Sequence, residues 1–453
     1  MSTTENPRTL NLDEARAHIA RKVFSDHLGG PEIGAVGLEP EYLVFRLDEA
    51  GNPVGRLPLE GDSSVLSALQ SLLGEAGELK QDSLGPPPVY SLPDSGRITF
   101  EPGGQVEHST AVHATAAVAM DDVDRVAQLL NGAFKGERAS LGSAGLDVWT
   151  DRSQVKQQLR ADRYNCMAAY FASRAENGEL MMRHTGSFQV NLDLGERSVA
   201  EERWRLANLL TPVALASFAC SPLEGWQSRR AWAWQGLDPT RTGFPGCMLA
   251  GEHSDPGFCY AELALNADVL LFRAQDGGTA AQGSAGFRFR DWIESGHPQH
   301  GFPSLDDLDY HLSTLFPEVR LRGFLEIRSA DAVPIHLRAA QVVFWIGLLY
   351  EPIARQACLE LLEPRVTELH GEWLTSAKAG LEDPGLRERA IAVWELALEG
   401  AERLPKGYFR PKDMACAKHY LETYVRGGMT LSNILAEKIA SDPGAALRWT
   451  LEA

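Results

Sequence analysis

The sequence predicts an α+β protein, in which one sheet collects strands far apart in the chain and helices cover it. Three observations predict this. Apolar–polar alternation of period two, the mark of half-buried strands, falls near residues 35–46, 96–108, 183–194 and 320–329. The segments between these strands are not uniform strand–helix–strand units, so the strands must pair over long distances. Helical periodicity occupies 12–29, 112–138, 163–175, 198–219, 333–380, 385–402 and 411–441, which leaves the last ninety or so residues all-helical. No Pro/Ser/Gly-rich linker sets that part off. The 453 residues are therefore expected to form a single domain, with a sheet-bearing core at about 30–350 and a helical part at about 351–453.

The helices come with local signals. Within 411–441, Gly427-Gly428 marks a break, and Thr430 or Ser432 is a candidate cap for a final helix. The apolar runs ANLLTPVALASFAC (207–220) and VVFWIGLLY (342–350) are shorter than the ~20 residues a bilayer requires and read as buried helices. AQDGGTAAQGSAG (274–286) and SGHPQHGFPS (295–304) read as loops, either plain surface connections or mobile flaps.

Each strand has one apolar and one oxygen-rich face. In ITFEPGGQVEHST (98–110), Ile98 and Phe100 alternate with Thr99 and Glu101, Pro102-Gly103-Gly104 makes a bend, and Gln105 and Glu107 then share a face. In GLEPEYLVF (37–45), Glu39 and Glu41 share a face. In SFQVNLDL (187–194), Ser187, Gln189, Asn191 and Asp193 do so, and in GFLEIRSAD (323–331) so do Glu326 and Arg328. Taken alone, the first of these is an exposed acidic turn. Paired in one sheet, the four would bring Glu39, Glu41, Glu101, Glu107 and Glu326 together, with Gln105 and Gln189 beside them. Carboxylates so crowded are driven towards protonation unless a cation neutralises them. Mg²⁺ or Mn²⁺, which prefer oxygen ligands, fit that need. His108 has the opposite parity to Glu107 and is read as structural.

The net charge of −18, from 43 basic and 61 acidic residues, disfavours nucleic acid or an anionic membrane surface as a partner. The N-terminal residues lack a charged-then-apolar leader pattern, which points to the cytoplasm. The six cysteines show neither CxxC nor regular spacing, so reduced thiols are expected, with room for one redox-sensitive pair. No GxxxxGK[ST], HExxH, GxSxG or GxGxxG pattern occurs, so any use of ATP must run through metal–carboxylate chemistry rather than a phosphate loop.

Four segments, GLEPEYLVF, ITFEPGGQVEHS, MMRHTGSFQVNLDL (181–194) and HLSTLFPEVRLRGFLEIRSAD (311–331), resemble the glutamate–cysteine ligases of plants and proteobacteria and the ergothioneine-pathway enzymes of actinobacteria. These are glutamine-synthetase-like carboxylate–amine ligases. The likeness runs in order from about residue 30 to 350. It implies a curved, mainly antiparallel sheet holding ATP and Mg²⁺ (or Mn²⁺) on its concave face, with helices outside. It also implies a reaction that joins the γ-carboxylate of L-glutamate to the amine of L-cysteine through γ-glutamyl phosphate, in glutathione- or ergothioneine-type thiol biosynthesis. A carboxylate needs such activation to become an electrophile, and transfer between two anions needs cations.

By matching motif, Glu39, Glu41, Glu101, Glu107, Gln189 and Glu326 are implied as metal ligands. Glu101 and Arg328 are implied as catalytic, with Arg328 holding the transferring phosphoryl group and contacting ATP together with Gln105 and Asn191. Arg163 in RYNCMAAYF and Arg241 in LDPTRTG are implied to bind glutamate, which suits bidentate guanidinium contacts. The expected assembly is a monomer or homodimer. Two departures bear on the acceptor: His184-Thr185-Gly186-Ser187-Phe188 stands where the family often has Thr-Cys-Thr-Val, and Pro40 stands between the first two glutamates. Three other readings stay open: a γ-glutamyl ligase for another small amine, a glycosidase with paired carboxylates, and a non-catalytic nucleotide binder.

Overall fold

The computed structural model describes residues 10–73, 79–82, 87–174, 177–253 and 255–452. Residue 175, the expected end of the third predicted helix, lies outside the described residues. The strands are β1 (Val36–Leu47), β2 (Pro53–Arg56), β3 (Lys80–Gln81), β4 (Tyr90–Ser91), β5 (Arg97–Phe100), β6 (Val106–Ser109), β7 (Ala139–Gly142), β8 (Phe188–Leu192), β9 (Leu271–Arg273), β10 (Thr279–Gln282), β11 (Val319–Leu321) and β12 (Leu325–Ile327). Ten form one sheet in the order β11-β12-β8-β1-β6-β5-β4-β3, with β2 and β7 also paired to β1; β9 and β10 form a separate hairpin. The pairings in the large sheet are antiparallel.

The long first strand organises this sheet. Its residues 36–40 pair with β8, 41–42 with β6, 43–46 with β7 and 45–47 with β2. The apolar residues of its alternation, among them Val36, Leu38 and Tyr42, are buried. Period two then fixes the opposite orientation for Glu39 and Glu41. The Pro-Gly-Gly bend joins β5 to β6 as expected, with the Gly104 amide donating to the Glu101 carbonyl at 2.8 Å. A Cβ on Gly103 would lie 2.1 Å from the Arg183 carbonyl oxygen, so only glycine lets this bend approach the following segment.

Helices pack around the sheet. The two apolar runs become the helices Arg197–Phe218 and Arg338–Leu349, and every residue of the second is buried. One contiguous apolar cluster joins Ala15 near the start of the chain, Leu38 and Val190 of the sheet, and Trp449 near the end. Among the described residues, no single helix is long and apolar enough to cross a membrane. Thr430 caps the helix Leu431–Ser441 through the Asn433 amide, and Gly428 before it sits at φ +65°. The expected long helix at 333–380 is instead three, Arg338–Leu349, Pro352–Leu362 and Leu369–Ala379, because Pro352 and Pro364 cannot continue the hydrogen-bond ladder of the helix before them.

Three further expectations change. The strand expected from residue 183 begins at Phe188, since Asn177–His184 is helical. The stretch 274–286 contains strand β10 and is one arm of a hairpin. Cys247 and Cys259 form a disulfide with a Cα–Cα distance of 6.0 Å, while Cys166, Cys220, Cys358 and Cys416 are free. The chain doubles back between the helices Gly246–Leu249 and Pro256–Asn266, which brings together two thiols twelve residues apart without any CxxC.

Candidate active site

The oxygen-rich faces of β1, β5–β6, β8 and β12 converge on a cavity of about 290 Å³. Strand register places Glu41 opposite Glu107, Glu39 opposite Gln189, and Glu326 opposite both Asn191 and Arg320. Five carboxylates line the cavity (Glu39, Glu41, Glu101, Glu107 and Glu326), as do Gln105 and Gln189. Asn191 is not in the lining but donates its amide to Glu39 at 2.9 Å.

The acids are held differently. Glu41 accepts from the Ser187 amide at 2.9 Å, from its hydroxyl at 2.8 Å and from Gln189 at 3.3 Å. Glu107 accepts from Thr99 at 2.8 Å. Among the described residues no donor reaches the Glu101 carboxylate. Burial first, and then the neighbouring Glu41, push Glu101 up to about 8. Burial and the neighbouring acids Glu39, Glu101 and Glu41 raise Glu107 well above its ordinary value. Burial, with Glu326 next, raises Glu39.

Glu326 behaves oppositely. Burial would raise it, but the guanidiniums of Arg320 and Arg328 hold it at about 2. Arg320 donates to it bidentately, with one contact at 2.8 Å, while Arg322 donates at 3.0 Å and Arg328 at 3.2 Å. As found, Glu326 is the anion that gathers three arginines. Arg328 also donates to Gln189 at 2.9 Å and lies 5.6 Å from the centre of the Trp234 ring, which fixes its plane.

Two residues that the resemblance implies at the site, Arg163 and Arg241, stand beside the cavity lining, next to Tyr164 and Phe316 respectively. Neither Arg163 nor Arg241 is among the cavity-lining residues. Arg241 is fully buried and spends its N–H groups on Asp238, Thr314, Tyr170 and the Asp268 carbonyl. Arg163 donates to the carbonyl and hydroxyl of Ser313, both at 3.2 Å, and stacks on Tyr310. The arginines that do line the cavity are Arg230, Arg320, Arg322 and Arg328. Arg320 and Arg322 were legible in principle, because VRLR and LEIR alternate symmetrically about Gly323, which takes φ +80° at the hairpin turn. Arg230, at the start of a short helix, had no such signal. His108 is buried on the other side of its strand opposite Ile98, as parity demands.

No set of three acidic, histidine or cysteine side chains among the described residues is already drawn together in metal-binding geometry. The chemistry of the donors nevertheless fits a hard cation. Glu101 has no donor, Glu107 and Glu39 are destabilised as anions by burial and by one another, and all three open on one cavity. Such a site handles anionic substrates, with arginines on one flank and cation-seeking carboxylates on the other.

Fold and site together define a pocket of facing acids and arginines built on an antiparallel sheet. The model of glutamate–cysteine ligase family 2 matches residues 35–445, and the chain belongs to that family. It is 36% identical over 401 residues to the glutamate–cysteine ligase EgtA of Mycolicibacterium smegmatis, covering 86% of this chain and 85% of that one. It is 31% identical over 328 residues to the chloroplastic glutamate–cysteine ligase of Medicago truncatula, covering 68% of this chain and 61% of that one. In fold it is similar to the glutamate–cysteine ligase of Francisella tularensis, solved in complex with AMP. The TM-score there is 0.53 at 12% identity, over 92% of this chain and 88% of that one.

Proposed function

We propose that this chain is an ATP-dependent glutamate–cysteine ligase, forming γ-glutamylcysteine through a γ-glutamyl phosphate, within one catalytic domain acting as a monomer or homodimer in the cytoplasm. One observation carries the reading: a single cavity sets Glu39, Glu41, Glu101 and Glu107 against Arg230, Arg320, Arg322 and Arg328. Two anions must meet there, the carboxylate of glutamate and the terminal phosphate of ATP, and neither could enter a site of unrelieved negative charge.

Glu39, Glu41, Glu101 and Glu107 would hold Mg²⁺ or Mn²⁺, with Gln189 as a neutral oxygen donor. When bound, the metal supplies positive charge that orients phosphate oxygens and restores the carboxylates to their ionised form. Glu326 joins them only if it releases guanidinium partners. Arg328, held between Gln189, Glu326 and Trp234, stabilises charge on the transferring phosphoryl group. Arg230 donates to the carbonyls of Arg328 and Ser329 at 2.9 and 3.4 Å and thereby fixes the end of β12. Gln105, whose amide donates to the Thr185 carbonyl at 3.0 Å, ties the Pro-Gly-Gly bend to the segment before β8. It therefore serves the nucleotide by placing Glu101, and Asn191 does the same by orienting Glu39.

The product belongs to low-molecular-weight thiol synthesis of the glutathione or ergothioneine type. A γ-glutamyl ligase for another small amine uses the same machinery. The test measures ADP release with L-glutamate, Mg²⁺ and a panel of amines. Cysteine should stimulate release most; a different best amine reassigns the acceptor, and no stimulation by any amine refutes the ligase.

A further inference from the structure

The Pro-Gly-Gly bend that carries Glu101 is held from behind by a buried cation outside the cavity lining. The carbonyls of Glu101, Pro102 and Gln105 are taken by backbone amides, from Gly104 at 2.8 Å, Gln158 at 2.6 Å and Glu101 at 3.0 Å. The Gly103 carbonyl is taken by a side chain instead. Arg56, the last residue of β2, donates Nη2 to it at 3.3 Å. Because no donor among the described residues reaches the Glu101 carboxylate, the backbone of this bend decides where that group stands.

Arg56 is itself anchored. Its side chain and that of Asp147 are 5% and 0% exposed and face one another at 3.5 Å. Asp147 accepts from the amides of Trp149 and Thr150 at 3.1 and 3.0 Å, and its own amide donates to the His184 carbonyl at 2.8 Å. Among the described residues, Arg56 Nε and Nη1 and both ring nitrogens of His184 make no hydrogen bond. His184 belongs to the segment that departs from the common family pattern. Burial first, and then the Arg56 charge, hold it at about 3, so it stays neutral and leaves Asp147 to Arg56. An apolar side chain would join the strands at less cost than a buried guanidinium with unmet donors. What the guanidinium adds is a fixed donor directed at the bend.

We propose that Arg56 is a positioning residue: seated on Asp147, it holds the Gly103 carbonyl and so sets where Glu101 stands among the other carboxylates. Gln105, tied to the Thr185 carbonyl at 3.0 Å, holds the far end of the same bend. Mg²⁺ demands near-ideal octahedral geometry, so a bend that drifts weakens the site although every ligand is still present. The inference rests on the metal reading above and adds the residue that keeps Glu101 in place.

The test uses the paired change Arg56→Met with Asp147→Asn, which removes both buried charges and keeps a side-chain carbonyl for the Trp149 and Thr150 amides. Arg56→Lys, Glu101→Gln and the paired change combined with Glu101→Gln complete the set. Mg²⁺ affinity is read by titration calorimetry and by the Mg²⁺-induced shift in melting temperature, and turnover by ADP release. The paired variant should keep its fold, bind Mg²⁺ about tenfold more weakly and lose about 10–10²-fold in kcat. KM for glutamate should stay within about twofold, a split that a general loss of structure would not produce. Arg56→Lys keeps the charge but not the planar fork and should fall between the two proteins. In the Glu101→Gln background the paired change should cost almost nothing further, because both act through one carboxylate. An unaltered Mg²⁺ affinity, or losses that simply multiply with those of Glu101→Gln, reduces Arg56 to structural support and overturns the inference. Should the paired variant not fold, Arg56→Lys alone and combined with Glu101→Gln decides on the same two readouts. If the unaltered protein binds no divalent ion and Glu101→Gln is fully active, the metal reading falls and this inference falls with it.

Discussion

Glu41 and Glu107 sit directly opposite one another across the β1–β6 pairing. Like charges in that position repel, by up to about 1 kcal/mol in an ordinary sheet. On the proposed reading, a cation bound between them relieves this repulsion in the working state. In metal-free buffer, Glu107→Gln should therefore melt no lower than the unaltered protein. Mg²⁺ should raise the melting temperature of the unaltered protein and do so much less in the variant. Thermal melts with and without Mg²⁺ decide it; equal Mg²⁺ shifts in both proteins would remove Glu107 from the metal site. Turnover should fall by orders of magnitude in the variant, as in EDTA.

Arg328 and Arg320 both pair with Glu326 but should fail differently. Arg328→Ala leaves Glu326 its bidentate partner, so the fold should persist while kcat drops by about 10²–10³-fold through lost charge stabilisation. Arg320→Ala removes the main partner of a buried anion and should cost stability on the order of 3–5 kcal/mol. Denaturant midpoints and steady-state kinetics on both variants separate the two roles. A stable, inactive Arg320→Ala would reverse them.

Arg241 supports the wall of the fold. Arg241→Ala leaves Asp238 buried without its closest cation, at 2.7 Å, and should lower stability by several kcal/mol on the order of a broken buried pair. Where the variant remains folded, KM for glutamate and for ATP should move together. A selective rise of tenfold or more in glutamate KM at unchanged stability would restore Arg241 to direct substrate contact.

Three histidines set the acid limit. Burial holds His108, His184 and His311 neutral down to about 3. An unfolded histidine protonates near ~6.5. Between these values the unfolded chain binds protons that the folded chain refuses, so stability rises with pH in this window and is lost as pH falls from about 6.5 towards 3. Each contributes up to about 1.4 kcal/mol per pH unit. The difference in stability between the unaltered protein and His311→Gln should therefore shrink as pH falls from 7 to 5. A difference independent of pH would show that His311 takes up its proton as readily in the folded as in the unfolded chain.

The site's legibility in the sequence followed the period of the strands. Glu39 and Glu41 alternate with buried neighbours, so their shared face could be read directly. The same holds for Glu101, Glu107, Gln189 and Glu326, which the register then brings together. β3 and β4, two residues each, are too short for alternation to register, and β7 (ASLG) has no charged residue to mark a polar face and pairs with β1 only through contacts formed in space. Met181 and Met182 lie just before the stretch 183–194 that reads as a strand; the helix Asn177–His184 is what places them at the cavity wall. For Arg163 and Arg241 the motif conveys residue type and order, while the partners of their N–H groups, Ser313 for one and Asp238 and Thr314 for the other, are set by the fold around them.

The central strand has a consequence for how the molecule is made. β1 leaves the ribosome early, yet its pairing partner β8 lies some 150 residues later, and β8 in turn waits for β12 at Leu325–Ile327. Until then, the edge of β8 that takes β12 stays unpaired and the acids of β1 lack Arg328. Most of the ordering entropy falls due before the long-range contacts that repay it, so folding should be slow and open to aggregation during synthesis. A chain stopped before residue 325 would hold most of the carboxylates but neither Glu326, the anion that gathers Arg320 and Arg322, nor Arg328.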